Sequence, residues 1–206
     1  MFHIDFPFAK DYATHEDITW SALANVTLQI YGKSAKWNRK IVATIVKANV
    51  MVDVEFLNEN AHFDGEGHLK SGNMRLQTLL KKIIYEALAH QFQKSREYLG
   101  RLLHSVQDFY SHSNYIEIGG RSDFENLGFP NAFRNRLPPR NAKICRTCFR
   151  FERLCLMTNI NDYHLFNEAI EAAFHSSIRF IRTVYNDLKS MNKEELFSEI
   201  IGIKVN

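Results

Sequence analysis

Apolar residues recur at intervals of three and four along most of this 206-residue chain, and this spacing constrains the fold more than any other feature. The clearest stripe lies between about residues 73 and 93 and comprises Leu76, Leu79, Leu80, Ile83, Ile84, Ala87 and Leu88. This spacing places side chains on one face of an α-helix, whereas a half-buried strand requires strict alternation. Strand-like alternation is rare, so the sequence predicts an all-α fold.

The same spacing predicts about six helices. The first begins at Thr14, where Thr14 and Asp17 form the Thr-x-x-Asp variant of a capping box. The other predicted helices cover residues 35–57, 73–93, 95–113, 163–189 and 193–201, the last capped by Asn192. Between the second and third helices, residues 58–72 are predicted to form a glycine-rich loop.

The chain is predicted to be a single domain, 1–206, with one sizeable core. Residues 1–13 are expected to form an irregular arm, and residues 114–160 a long irregular insertion that carries a basic cluster and all three cysteines. For Cys145, Cys148 and Cys155, a local disulfide and free thiols are about equally favoured. A cysteine-bound metal is less favoured because a fourth ligand is missing.

Composition limits the partners of the chain. The net charge of +3 is a weak basic bias. It is compatible with phosphate-bearing or anionic-lipid partners, and it is smaller than the charge expected of a nucleic-acid-binding protein. No apolar run approaches the length of a transmembrane segment. The amino terminus lacks the basic and apolar regions of a signal peptide, which favours the cytosol.

The residues most informative about chemistry are His104, Asp108 and His112, spaced four and four. On a helix this spacing places two imidazoles and a carboxylate along one stripe. Both groups suit zinc, and an aspartate can bridge two ions. A solvated helix face is the alternative. However, the apolar neighbours indicate a buried helix, where such groups are costly without partners or a metal. These neighbours are Leu103, Val106, Phe109 and Tyr110.

Further candidate ligands recur elsewhere at suitable spacing, and each alone is more often structural or solvated. They are His15 in the first helix, His62, Asp64 and His68 in the glycine-rich loop, and His164 with Glu168 in the fifth helix. As a set they predict a multi-metal site in the core of a helical bundle. His3, His90 and His175 lack such partners and are expected to be surface or core residues.

Four stretches resemble a known family. They are residues 14–19, 61–64 (Ala-His-Phe-Asp), 103–114 (Leu-His-Ser-Val-Gln-Asp-Phe-Tyr-Ser-His-Ser-Asn) and the Cys-x2-Cys-x6-Cys run followed by Asn159-Ile160. The family comprises the Het-C heterokaryon-incompatibility proteins and the amino-terminal region of a von Willebrand factor A domain-containing protein. The resemblance covers roughly residues 14–180.

More distantly, Tyr98-Leu99-Gly100 followed by His104, Asp108 and His112 resembles the zinc-dependent phospholipase C enzymes and the single-strand-specific zinc nucleases. This resemblance implies an all-α bundle of the zinc-dependent phospholipase C type with two or three zinc ions in a cleft.

The resemblance also implies residue roles. Asp108 would bridge two ions, Asp64 would be a ligand and candidate general base, and His104 and His15 would be ligands. A third ion would be held by His112, His164 and Glu168, and one remaining position would fall to His62 or His68. The phospholipases also use a free amino-terminal Trp as a ligand, and here no Trp precedes His15.

The expected function is therefore zinc-dependent phosphodiester hydrolysis, with phospholipid as substrate and peripheral contact with a membrane. One alternative is a non-catalytic metal-binding recognition module, as in Het-C-like incompatibility. The other is a zinc nuclease, and the small net charge makes a nucleic-acid partner less expected. The family relatives and the cysteines favour secretion of a longer precursor, against the cytosolic indication of the amino terminus.

Overall fold

The computed structural model describes residues 13–55, 57–63, 68–113, 115–116, 120, 123–130, 132 and 163–204, with only the backbone of 163–166. In these residues the helices are α1 His15–Tyr31, α2 Arg39–Val50, α3 Glu59–His62, α4 His68–Leu88, α5 Phe92–His112, α6 Tyr163–Ser190 and α7 Glu195–Ile201. A 3-10 turn, Met51–Glu55, follows α2, and the short strands β1 (Lys36–Trp37) and β2 (Ile203–Lys204) pair antiparallel. The all-α prediction is confirmed.

The predicted capping box at the start of α1 is present. The backbone N–H of Asp17 donates to Thr14 Oγ1 at 3.2 Å, and the backbone N–H of Thr14 donates to Asp17 Oδ2 at 3.0 Å. These bonds satisfy donors that a helix start leaves open, so they fix where α1 begins. His15 is consequently the first residue of α1.

The second predicted helix is confirmed but shorter than the predicted 35–57. The pairing of Lys36 and Trp37 with β2 takes up its first residues, and Asn38 caps α2 by accepting from the N–H of Lys40 at 3.2 Å. Beyond Val50 the backbone tightens into the 3-10 turn. A strand pairing between residues so far apart in sequence leaves no trace in local periodicity.

Two further boundaries correct the predictions. Residues 58–72, predicted as a loop, contain α3 and the first turn of α4, which begins at His68 instead of residue 73. The prediction that Asn192 caps the last helix is wrong. Asn192 has a left-handed backbone (φ 55°) that ends the turn after α6, and α7 begins at Glu195 after Glu194. Asn tolerates this conformation, which explains its presence there.

Helix α5 is the centre of the bundle and packs against α2, α4 and α6. Its residues 99–110 are buried without interruption except for Arg101. The polar side chains of His104, Gln107 and Asp108 therefore lie inside the hydrophobic core. This burial requires that each of them finds a polar partner there.

Part of the predicted long insertion is held against the bundle by a polar hub. Arg179 on α6 donates to both carboxylate oxygens of Asp123 (2.6 and 3.0 Å) and to the carbonyl oxygens of Phe124 and Leu127. Tyr110 on α5 donates to Asp123 Oδ1 at 3.1 Å. The described residues from 123 to 130 form turns, a bend and irregular coil, in agreement with the predicted irregular segment.

Several predictions lie outside the described residues. They concern residues 1–12 of the arm, the three cysteines and the basic cluster of the insertion. Among the helices that are described, none combines the length and the apolar character that crossing a bilayer requires.

Candidate metal centre

The side chain of Asp108 is 1% exposed and is surrounded by four histidines. Its Oδ2 atom lies 2.8 Å from His62 Nδ1 and 2.9 Å from His104 Nε2. Its Oδ1 atom lies 3.1 Å from His15 Nε2 and 3.8 Å from His112 Nε2. The two oxygens of one carboxylate thus face two different pairs of imidazoles.

Three helices bring these histidines together. His15 opens α1, His62 ends α3, and His104 and His112 lie one turn before and after Asp108 on α5. The close ring contacts confirm the convergence, since the ring centroids of His15 and His104 are 4.3 Å apart and those of His62 and His104 are 5.2 Å apart. The three α5 residues share one stripe, as their spacing predicts.

The position of His62 depends on the residue after it. Phe63 has a left-handed backbone (φ 55°), which ends α3, and its buried ring packs edge-on against Phe109 of α5 at 5.4 Å. On α4, the same ring occupies the space where a side chain at Gly72 would lie, 2.7 Å from the ideal Cβ position. The ring of Phe63 therefore packs between α4 and α5, which holds α3 in place and positions His62 beside Asp108.

Asp53 is a candidate ligand that the sequence analysis missed. Its Oδ1 atom lies 3.4 Å from His104 Nε2, and its side chain is 47% exposed. It belongs to the 3-10 turn after α2, within a segment that was interpreted only through its apolar positions. The available indication was the Asn49-x3-Asp53 spacing, which in a helical segment places the two polar side chains on the same face.

The donor atoms are spaced as a metal ion requires. Zinc ligand atoms lie about 2.0–2.1 Å from the ion and thus roughly 3.3 Å from one another in a tetrahedral site. His62 Nδ1, His104 Nε2 and Asp108 Oδ2 are 2.8–3.3 Å apart. His15, Asp53 and His104 form a second, overlapping group. Oδ1 of Asp108 is buried and accepts no well-formed hydrogen bond within the described part of the chain.

The charges of the cluster are set by burial and by the neighbouring rings. Burial lowers the pKa of His104, although Asp108 opposes this shift, so the neutral imidazole is favoured. Burial alone would raise the pKa of Asp108, but His104, His112 and His15 together hold it well below its usual value. A neutral imidazole and an ionised carboxylate are the forms that bind a metal ion.

A layer of buried polar side chains lies behind His15 and His104, on the side of these rings away from Asp108. Gln107 Oε1 lies 2.7 Å from His15 Nδ1, and Asn49 Oδ1 lies 3.4 Å from His104 Nδ1. The two amides are joined to each other and to the hydroxyl of Thr19. These residues could not be identified from the sequence, because uncharged polar side chains form no recognisable pattern of metal ligands.

The remaining candidates lie elsewhere or outside the described residues. His68 pairs locally on the neighbouring helix, with its Nε2 2.7 Å from Glu59 Oε2 and its Nδ1 3.0 Å from Asn60 Oδ1. Of the two alternatives, the structure therefore brings His62, and not His68, to Asp108. Glu168 is half-buried near the start of α6. Asp64, the side chain of His164 and His3 are outside the described residues, whereas His90 and His175 are exposed.

Comparison with known proteins places this chain in a family. The sequence model described as "VWA7 N-terminal domain" matches residues 18–162, which is most of the chain and includes Asp53, His62, His104, Asp108 and His112. The chain belongs to the VWA7 N-terminal domain family. Its relatives include von Willebrand factor A domain-containing protein 7 of Rattus norvegicus (30% identical over 57% of this chain), of Mus musculus (30% over 59%) and of Homo sapiens (28% over 66%).

The chain spans less than a fifth of the length of those relatives, since the matches cover 17%, 18% and 19% of it. No solved structure matches the chain. The resemblance to the amino-terminal region of a von Willebrand factor A domain-containing protein is thus confirmed. The comparisons give no support to the resemblance to Het-C proteins, phospholipases C or zinc nucleases.

Proposed function

We propose that this domain binds zinc at the Asp108 cluster and uses the centre to hydrolyse a phosphodiester. The observation that carries the proposal is the carboxylate of Asp108, whose two oxygens face two separate pairs of imidazoles. A carboxylate in this arrangement can bridge two ions, each of which also takes imidazole ligands. We assign His62 and His104 to the Oδ2 side, and His15 and His112 to the Oδ1 side.

The cost of burying these groups supports a metal. Asp108 and its three most buried neighbours, His15, His62 and His104, lie almost entirely out of water. Ionisable groups at this depth are costly unless they are paired, hydrogen-bonded or bound to an ion. Zinc ions would neutralise the carboxylate and occupy the nitrogen lone pairs that face it, which explains why a core contains this many polar rings.

The exposure of the cluster supports catalysis over a purely structural role. Asp53, 47% exposed, and His112, 12% exposed, form its solvent-facing edge, whereas His104 is completely buried. Catalytic zinc sites keep a position open to water or substrate, and structural sites are closed. When bound, zinc in such a centre supplies a water of lowered pKa and a Lewis acid for the phosphoryl oxygens.

Each side chain then has a stated task. Asp108 and His104 fix the centre in the core, and Asp53 and His112 define the edge that a substrate reaches. Asp53, as the most exposed carboxylate of the cluster, is suited to accept a proton at its Oδ1 or Oδ2 atom from water that enters there. Asp64 remains the candidate general base that the resemblance implies. His164 and Glu168 remain the candidate ligands of a third ion.

The burial of four residues of the cluster favours a second candidate function. These residues are His15, His62, His104 and Asp108. A structural zinc centre would also satisfy the buried carboxylate, and its contribution would be to the stability of the domain. Such a domain would be a metal-dependent recognition module. Zinc binding without turnover of any phosphodiester would support it.

The test is hydrolysis by the zinc-loaded protein, compared with two variants. Three substrates separate the alternatives: phosphatidylcholine vesicles, a single-stranded oligonucleotide and a small chromogenic phosphodiester. Asp108→Asn keeps the shape of the side chain and removes its charge, whereas His175→Ala removes an exposed histidine of α6 that lies against Glu171.

We expect zinc-dependent turnover of phosphatidylcholine that is lost in Asp108→Asn and unchanged in His175→Ala. Turnover of the oligonucleotide alone would redirect the proposal to a nuclease. Full activity in Asp108→Asn, or equal activity after zinc is removed with a chelator, would overturn the mechanism. Zinc binding with no turnover of any substrate would replace catalysis with the structural role.

A further inference from the structure

The hydroxyl of Ser177 fixes the orientation of a buried amide next to the cluster. Ser177 on α6 donates its hydrogen to the carbonyl oxygen of Ala173 at 2.8 Å, so its oxygen can only accept from other neighbours. The atom of Gln107 that faces Ser177 at 3.3 Å must then be the donor Nε2. The second hydrogen of that nitrogen points to Thr19 Oγ1 at 3.0 Å.

With its nitrogen facing α6, Gln107 presents its oxygen to the histidine cluster. Oε1 accepts from Asn49 Nδ2 at 3.2 Å and lies 2.7 Å from His15 Nδ1. An accepting oxygen at that distance requires a hydrogen on Nδ1 of His15. Turning the amide round would place its N–H groups against the N–H groups of Asn49, so this orientation is strongly preferred.

The amide of Asn49 is oriented in the same way toward His104. Asn49 Nδ2 uses one hydrogen for Gln107 Oε1 and the other for Thr19 Oγ1 at 2.8 Å. Its oxygen is therefore the atom that faces His104 Nδ1, at 3.4 Å. All of these polar residues are buried, and none of the amide hydrogens has a second acceptor within the described residues. The assignment of donors and acceptors in this hydrogen-bond network is therefore unique.

We infer that Gln107 is a positioning residue that, together with Asn49, holds His15 and His104 in the tautomer with hydrogen on Nδ1. Nε2 of each ring then directs a lone pair to the side of Asp108, at 3.1 and 2.9 Å from its oxygens. A lone pair facing a carboxylate is unfavourable unless a cation lies between them. The inference rests on the proposed zinc centre and adds the residues that prepare its ligands before the ion arrives.

The tautomers can be read directly by NMR of protein labelled with ¹⁵N in histidine, freed of metal and kept at about pH 8, above the ordinary imidazole pKa of about 6.5. Long-range ¹H–¹⁵N correlations identify the protonated nitrogen of each ring. We expect hydrogen on Nδ1 for His15 and His104 in the unchanged protein. Hydrogen on Nε2 of both rings would overturn the inference, and this measurement needs no variant.

Two variants of Gln107 separate positioning from packing. Gln107→Leu removes the acceptor, and we expect His15 to lose its fixed tautomer and zinc affinity to fall about 10- to 100-fold. Gln107→Glu keeps an oxygen toward His15, and we expect it to retain the tautomer and to bind zinc more tightly than the leucine variant. If Gln107 only fills space, we expect the opposite order of zinc affinity. The leucine variant would then lose nothing with the acceptor, whereas the glutamate variant would be destabilised by its buried charge. The exposed Gln93→Leu on the same helix is the matched control.

The outcomes distinguish this inference from the proposed function. Hydrogen on Nδ1 of both rings in a protein that binds no zinc would contradict the zinc centre and leave the orienting role of Gln107 intact. Zinc binding with unchanged tautomers and unchanged affinity in Gln107→Leu would overturn the inference and leave the centre intact.

Discussion

Gly100 of α5 lies directly against the backbone of α2, such that a Cβ atom at position 100 would clash with the carbonyl oxygen of Ile45. The same atom would be 2.7 Å from Cβ of Ala48 and 2.8 Å from the backbone nitrogen of Asn49. Only glycine permits this approach of the two helices. Because Asn49 and Asp53 follow on α2 and its 3-10 turn, the approach also brings them within reach of His104.

Replacement of this glycine should therefore affect both stability and metal binding. We expect Gly100→Ala to lower the free energy of unfolding by about 1–3 kcal/mol, since backbone atoms must move to admit the methyl group. The separation of α2 from α5 should also weaken zinc binding. Urea unfolding and a zinc competition titration measure the two effects. Lys94→Ala, an exposed change on α5, should alter neither, and an unchanged stability of Gly100→Ala would refute the close approach.

The capping box of α1 is expected to stabilise the start of the helix that carries His15. Thr14→Ala should cost about 1 kcal/mol of unfolding free energy, because the N–H of Asp17 loses its acceptor. Thr14→Ser keeps the hydroxyl and should retain most of that stability. Thermal unfolding of the two variants gives the comparison. Equal losses in both variants would show that the methyl group of Thr14, and not its oxygen, stabilises the helix start.

The Arg179 hub makes a separate prediction about the insertion. Arg179→Lys should destabilise the domain by about 1.5–3 kcal/mol, because one ammonium group cannot replace the two-pronged contact with Asp123. Limited proteolysis should then cleave more readily between residues 123 and 130. Lys193→Ala, which removes an exposed ion pair with Glu195 at 4.0 Å, is the control and should have almost no effect. Unchanged protease resistance in Arg179→Lys would argue against the hub.

Zinc should stabilise the folded protein in proportion to its affinity. An ion present at 100 times its dissociation constant adds about 2.7 kcal/mol, so the thermal midpoint should fall when a chelator is added. His62→Ala should reduce this zinc-dependent shift, whereas His68→Ala should leave it unchanged, because His68 pairs with Glu59 and Asn60. A shift abolished by His68→Ala alone would reverse the assignment of these two histidines.

The parts of the structure that follow from local spacing could be predicted from the sequence. The start of α1 follows from the Thr14 and Asp17 pair, and the clustering of His104, Asp108 and His112 follows from one helical stripe. Both depend on contacts within four residues. The apolar stripe of α4 was likewise recognised, although its first turn at His68 was not, since the glycines nearby favoured a loop.

The residues that could not be predicted take part through contacts between distant segments. Asp53 joins the cluster because α2 crosses α5 at Gly100, and Asn49 reaches Gln107 across 58 positions of sequence. The strand Lys36–Trp37 exists because its partner lies at the far end of the chain. Periodicity within one segment contains no information about such crossings. The roles of the amides of Asn49 and Gln107 and of the carboxylate of Asp53 could therefore be recognised only from the structure.

The zinc content of the purified protein tests the proposed centre at Asp108, and it is measured by inductively coupled plasma mass spectrometry after equilibration with zinc and removal of excess. We expect at least two zinc ions per chain, reduced to less than one in Asp108→Asn and unchanged in His175→Ala, with all three proteins folded by circular dichroism. A folded, unchanged protein that retains no zinc would contradict the account, because the four imidazoles around Asp108 would then be a polar core without an ion.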